Sequence, residues 1–214
     1  MRRKPFFVTG TDTAVGKTFI TSALLGVARG RGLRCIGMKP IAAGCRLEAG
    51  TRRSDDALAL ISASASILDY ETINPIALKP HIAPHIAAAQ AGRTLRATDL
   101  TAHRRAVMAR DVDRLLIEGA GGWLVPINDT ATLADVCVAL KAALILVVGM
   151  KLGCLNHALL TAAAIEPAGL RLAGWIANSV REAMPILDEN VDTLRTRLRA
   201  PCLGVVPRLE SVEP

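Results

Sequence analysis

The residues with the clearest chemical content lie at positions 9–18, TGTDTAVGKT, directly behind the apolar run Pro5-Phe6-Phe7-Val8. A strand that feeds a tight loop, with Gly-Lys-Thr opening a helix, makes a phosphate cradle. Gly16 lets the backbone approach an anion without a Cβ in the way. The N–H groups of Val15, Gly16, Lys17 and Thr18 point outward from a helix N-terminus, where the dipole is positive. Lys17 is placed to reach β- and γ-phosphates, and the Thr18 hydroxyl to sit on Mg²⁺. The usual G-x-x-x-x-G-K-[ST] spacing is missed by one residue: Gly10 stands six before Gly16, and Thr11 occupies the place of the first glycine. A Gly-Lys-Thr triplet alone is weak, but here a strand precedes it and a helical pattern over 19–27 follows it.

Four further groups carry chemistry. Glu118-Gly-Ala-Gly-Gly-Trp123 follows an apolar run, so Glu118 ends a strand where a metal-binding carboxylate belongs beside a phosphate loop. Asp55 and Asp56 follow Ser54 at a helix start; ordinary capping explains them, but one could complete a Mg²⁺ shell with Thr18 and Glu118, and sequence physics does not choose between them. Lys39 ends another strand and would bring a second ammonium to the crevice of Lys17, suited to charge on a transferring phosphoryl group. The turn holding Gly153, Cys154, Leu155 and Asn156 opens a helix, and its N–H groups would suit a carboxylate; the plainer reading is a glycine connection capped by Asn156. His81 and His85 have i, i+4 spacing, but Pro84 between them argues against a helical metal pair.

Positioning these groups requires a particular scaffold. Continuous apolar runs over 6–9, 35–40, 114–118, 143–149, 172–177 and 202–206 read as strands buried on both faces. Helical patterns fall between them, over 17–30, 55–62, 82–91, 99–110, 132–141, 156–168 and 185–199. The alternation predicts one α/β domain over residues 1–214, with a doubly wound, mainly parallel sheet flanked by helices. In such sheets ligands bind at the carboxyl ends of the strands, which is where the 9–18 loop, Lys39, Glu118 and the 153–156 turn lie.

Composition narrows the classes. The net charge of +7 invites a nucleic-acid reading, yet the arginines are dispersed (Arg2, Arg3, Arg52, Arg53, Arg104, Arg105, Arg195, Arg197, Arg199), and only six aromatic residues are available for base stacking. Cations for an anionic ligand and solvated helix faces explain the excess. Five cysteines without a C-x-x-C pair argue against disulfides or zinc and for reduced thiols in a cytoplasmic protein. The longest apolar run, 142–150, is too short to cross a bilayer.

Taken together, G10-T-D-T-A-V-G-K-T18, K39-P-I-A-A-G44, E118-G-A-G-G-W123, K151-L-G-C-L-N-H157 and the A173-G-W-I-A-N178 stretch resemble the dethiobiotin synthases of the P-loop NTPase superfamily, over nearly the whole chain. Ser54-Asp-Asp-Ala-Leu, Asn74-Pro75 and Pro84-His85-Ile86 add to the likeness. The resemblance implies an enzyme that converts 7,8-diaminopelargonate, CO₂ and MgATP to dethiobiotin, ADP and phosphate. In that reaction a carbamate oxygen attacks the γ-phosphoryl group, and the second amine then closes the ring. It implies that Lys17, Lys39 and Thr13 act on the phosphoryl and carbamate oxygens. Asp12, Thr13, Ala14, Val15, Gly16, Lys17 and Thr18 would bind nucleotide, with Asn178 and Pro207 at adenine. Thr18, Asp56 and Glu118 would hold Mg²⁺, the Asp-Ala-Leu alignment selecting Asp56. Lys39, Ala43, Gly121 and the 153–156 turn would bind substrate, the last across a homodimer interface. No nucleic-acid or membrane partner is implied.

Two positions depart from the family pattern. Ala14 stands where glutamate is common, and Ala43 where serine is common. Loss of the serine hydroxyl implies weaker substrate binding or a rearranged pocket; unchanged kcat and KM in Ala43→Ser would contradict this. The nearest rival reading belongs to the same P-loop group, and a second is of another class, a regulatory ATPase switch. Cobyrinate amidating synthases carry a further glutamine-hydrolysing domain, for which this chain has no room. Partitioning and septum-placement ATPases usually carry an extra lysine early in the loop, and positions 11–16 contain none.

Overall fold

The computed structural model describes residues 5–65, 68–180 and 184–209; Arg2 and Arg3, counted above among the dispersed cations, lie outside them. The chain begins with β1 (Phe6–Gly10), α1 (Lys17–Gly30), β2 (Cys35–Met38), β3 (Ile41–Ala42), β4 (Arg46–Glu48), β5 (Thr51–Arg53), α2 (Asp55–Ala63) and α3 (Tyr70–Ile73). It continues through β6 (Ile76–Ala77), α4 (Pro84–Gln90), α5 (Ala97–Ala102), α6 (Arg104–Met108), β7 (Arg114–Gly122) and α7 (Leu133–Leu140). It ends with β8 (Ala143–Gly149), α8 (Cys154–Ile165) with a 3₁₀ turn over Glu166–Ala168, β9 (Leu172–Asn178), α9 (Leu187–Arg197) and β10 (Cys202–Val206).

Six strands form one sheet in the order β10-β9-β8-β1-β7-β2, every neighbouring pair parallel. The continuous apolar runs have the cause expected of them: alternate side chains enter cores on opposite faces. Leu144 of β8 packs with Phe7, Ile117, Val136 and Cys137, and Leu146 and Val148 with Trp175 and α8–α9 residues such as Ala158 and Val191. Ile145 and Val147, between them in sequence, point the other way, to Val8 of β1, Val15 of the loop and Ile20 of α1. The sheet is therefore doubly wound, as the sequence predicts.

Strand order locates the crevice. After β1 the chain builds β2 at the edge, later inserts β7 between β2 and β1, then crosses to β8 on β1's other flank. Ligands bind at such a reversal. The carboxyl ends of β1, β7, β8 and β2 thus surround the 11–16 loop.

The differences from expectation are local. The strand at 114–118 runs on to Gly122, because Gly122 still pairs with Gly10 after an irregularity in register. The strand at 35–40 stops at Met38, so Lys39 and Pro40 form the turn beyond it. The helix at 99–110 is broken at His103 into α5 and α6. The antiparallel β4–β5 hairpin, the short parallel β3–β6 pair and the one-turn α3 were not anticipated.

Candidate active site

The loop between β1 and α1 is shaped by what it leans on. Thr11 N–H donates to Val147 O at 3.0 Å, and Thr11 Oγ1 accepts from Gly149 N–H at 3.3 Å. Val15 is the plug: a Cβ on either Gly10 or Gly149 would stand 2.7 Å from one of its methyls. Gly16 is left-handed, with φ 83°, and a Cβ there would collide with the Asn178 amide. That amide donates to Val15 O at 2.9 Å. Asn178, expected near adenine, is thus also a buttress of the loop, while Pro207 is exposed just beyond β10. Ala14 is left-handed at φ 55°, although alanine disfavours that region.

Two lysines enter the cleft with opposite electrostatics. Lys17 is buried, its Nζ donating to Asp12 O at 2.9 Å. Burial, then repulsion from Lys39, holds its pKa down at about 8 despite Glu118 and Asp56 nearby. Lys39 is equally buried, but its ammonium bridges Glu118 Oε1 at 2.5 Å and Asp56 Oδ2 at 2.8 Å, and donates to Gly119 O at 3.1 Å. Burial opposes its charge, and the two carboxylates outweigh it, raising the pKa above the lysine norm. In the same balance burial works to raise the Asp56 pKa, and Lys39 more than reverses it.

The two aspartates are separated plainly. Asp56 faces Lys39 inside the cleft, whereas Asp55 turns outward to Arg46 Nη1 at 2.5 Å. Ser54 caps α2, accepting from Ala57 N–H at 3.4 Å, and this fixes the first turn from which Asp56 projects.

The oxygen set suits a small hard cation. Thr18 Oγ1 donates to Glu118 Oε1 at 2.8 Å, and Glu118 Oε2, fully buried, has no hydrogen-bond partner. A lone buried carboxylate oxygen beside a hydroxyl and a second carboxylate is a place for a cation. Among the described residues no group of three or more His, Cys, Asp or Glu side chains is placed to hold a metal ion. A cation here would therefore take the remainder of its shell from phosphate and water, the habit of Mg²⁺.

An open cleft of about 850 Å³ joins these groups. Thr13, Ala14, Gly16, Lys17, Thr18, Lys39, Ala43, Asp56, Glu118 and Gly121 line it, so most, though not all, of the residues expected to act on phosphate and substrate share one cavity. Its far wall was missed from the sequence: His81, Ile82, Ala83 and Pro84 face the cleft across Gly44, whose Cβ would stand 3.2 Å from the His81 ring. In the sequence Pro84 served only to separate His81 from His85 and, with His85 and Ile86, to add to the family likeness.

The 153–156 turn does not line that cleft. Gly153 is left-handed at φ 91° and caps α8 itself, so Asn156 is not the cap. Cys154 is buried, and its N–H donates to Lys151 O at 2.9 Å, which removes one of the expected anion donors. Lys151 Nζ also binds Asp12 Oδ2 at 2.9 Å, lowering the Asp12 pKa, and Asp12 Oδ1 accepts from Thr13 N–H at 2.7 Å.

Comparison with known proteins gives the family and the fold. The AAA_26 family profile, an AAA domain, matches residues 4–214. The chain is 53% identical to the ATP-dependent dethiobiotin synthetase BioD of Cellvibrio japonicus, over 98% of this chain and 91% of that protein. It is 51% identical to the protein of the same name from Pseudomonas aeruginosa, over 98% and 92%. Among solved structures, a ParA family ATPase from Chlorobium tepidum aligns at TM-score 0.56 and 13% identity, covering 98% of this chain and 86% of that one. The MinD cell division protein of Aquifex aeolicus aligns at 0.56 and 14%, covering 96% and 82%. These last two share the fold.

Proposed function

The chain belongs to the ATP-dependent dethiobiotin synthetase family, and from that premise we propose that it carboxylates and cyclises 7,8-diaminopelargonate with CO₂ and MgATP, in the cytoplasm, as a step of biotin synthesis. The observation that carries this reading is the meeting of Lys17, Lys39, Asp56 and Glu118 in one cleft beside a phosphate loop.

The chemistry follows from what each group can do. A carbamate is a poor electrophile, and phosphorylation gives it a leaving group. The loop N–H groups and Lys17 hold the polyphosphate; Lys17, uncomfortable when charged and buried, gains the anionic partner it lacks. Thr18, Asp56 and Glu118 would hold Mg²⁺, which when bound neutralises phosphate charge. Lys39, kept protonated by two carboxylates, supplies a fixed positive charge where carbamate oxygen and γ-phosphoryl group meet. Thr13 adds a hydroxyl near that point. Ala43, Gly121 and the apolar wall of Ile82 and Pro84 suit an aliphatic diamine. Asn178, with Val180 over Gly16, suits adenine, and Pro207 lies at the neighbouring strand end. The 153–156 turn would receive the substrate carboxylate of a second copy, with Leu155 and Asn156 supplying N–H groups of the first helical turn.

Protein mixed with MgATP, bicarbonate and diaminopelargonate should give dethiobiotin by mass spectrometry, and Glu118→Gln or Lys39→Gln should abolish it. Phosphate release independent of the diamine would instead mark an ATPase switch, and full activity in either variant would remove that residue from the reaction.

A further inference from the structure

Lys39 and Asp56 reach the cleft from different elements, the end of β2 and the first turn of α2, and their 2.8 Å contact depends on the register between the two. A buried hydrogen-bond chain spans that gap. Ser54 N–H donates to Tyr70 Oη at 2.7 Å. Tyr70 Oη donates to Asn74 Oδ1 at 2.8 Å. Asn74 Nδ2 donates to Lys39 O at 2.6 Å. Ser54, Tyr70, Asn74 and Lys39 are each more than nine-tenths buried. The direction is fixed: Tyr70 Oη already accepts from Ser54, and a flipped Asn74 amide would set its oxygen against the Lys39 carbonyl.

The backbone runs the same way. Lys39 N–H donates to Ile73 O at 3.0 Å, and Asn74 N–H to Tyr70 O at 2.7 Å. With only four residues, α3 is too short to persist alone. Buried Tyr70 and Ile73 hold it as a wedge between β2 and α2, and the Arg53 guanidinium covers the Tyr70 ring at 4.1 Å.

We propose that Tyr70 and Asn74 are positioning residues for the phosphoryl-transfer site, setting the spacing of Lys39 and Asp56 through Ser54 and the Lys39 carbonyl. The proposal rests on Lys39 and Asp56 serving the reaction. Tyr70→Phe deletes one oxygen and keeps the ring, so it separates positioning from folding.

In Tyr70→Phe, kcat should fall about tenfold to a hundredfold, the range for residues that orient metal-site groups. The KM for ATP should stay within about twofold, because the phosphate loop is untouched. Mn²⁺ binding in the presence of ADP, followed by electron paramagnetic resonance, should weaken in Tyr70→Phe and in Asp56→Asn, with no further loss in the double variant. Asn74→Asp, which turns an amide donor into an acceptor at the Lys39 carbonyl, should reproduce the kcat loss. Wild-type kcat and Mn²⁺ affinity in Tyr70→Phe would overturn the proposal. So would losses that simply add in the double variant, since these mark general destabilisation. A fully active Asp56→Asn would overturn the site assignment itself, and the positioning role with it.

Discussion

Lys17 is held in a state that costs the protein stability. Its pKa falls from the lysine value of 10.5 to about 8, which at about 1.4 kcal/mol per tenfold puts the cost of the buried charge at roughly 3 kcal/mol. Below pH 8 both folded and unfolded chains carry the proton, and the whole cost applies. Between about 8 and 10.5 the folded chain sheds it while the unfolded chain keeps it, so stability recovers as pH rises through that window. Lys17→Met should therefore abolish ATP binding and raise the denaturation midpoint at pH 7, the gain shrinking above pH 8. Urea titrations of both proteins across pH 6–10 test this, and a gain independent of pH would sink the electrostatic account. At the same scale, much of the site is legible as letters: Gly16, Lys17, Thr18, Lys39 and Glu118 are named by type and spacing. The choice of Asp56 over Asp55 is not, because it depends on which side of α2's first turn faces Lys39. The parts played by Tyr70 and Asn74 were equally hidden, although Asn74-Pro75 entered the family likeness, since their partners lie on other segments.

Elements set these residues in place, and the sheet was easier to read than its attachments. Strands such as β8 are apolar on both faces, and that pattern survives without knowledge of neighbours. The β4–β5 hairpin gives no such signal: five of its six strand residues are exposed, and Ala49 and Gly50 turn with positive φ. The 118–122 glycines look like a turn in sequence yet continue β7, because the parallel partner β1 is still there to pair. One close dependence is Val15 seated between β1 and β8. Gly149→Ala should cost about 1–3 kcal/mol by overpacking and weaken ADP binding, because the new methyl would press on Val15. Gly204→Ala, whose Cβ meets nothing within 4 Å, is the control. Denaturation midpoints and calorimetric ADP affinity measure both; equal behaviour of the two variants would refute the plug.

For the molecule as a whole, the open question of assembly sits beside the 153–156 turn, where Leu152 is 96% exposed and Leu160 62%. Large apolar side chains so placed suit burial against a second copy. Leu152→Asp should convert a dimer to monomer in sedimentation velocity and raise the KM for the diamine, leaving ADP affinity unchanged. A wild-type protein that sediments as a monomer at micromolar concentration would refute the shared site. Among the described residues no helix is long and apolar enough to cross a membrane.

The phosphate loop's dependence on distant supports also has a consequence for synthesis. Thr11 and Val15 are held by Gly149 and Asn178, 138 and 163 positions further along. At about 5–20 residues per second, a ribosome delivers those supports roughly ten to thirty seconds after the loop itself. Until β9 emerges, the nascent chain carries the motif without the Asn178 contact to Val15. Nucleotide can thus stabilise the finished enzyme, but the supports of its phosphate loop are complete only after about four-fifths of the chain is made.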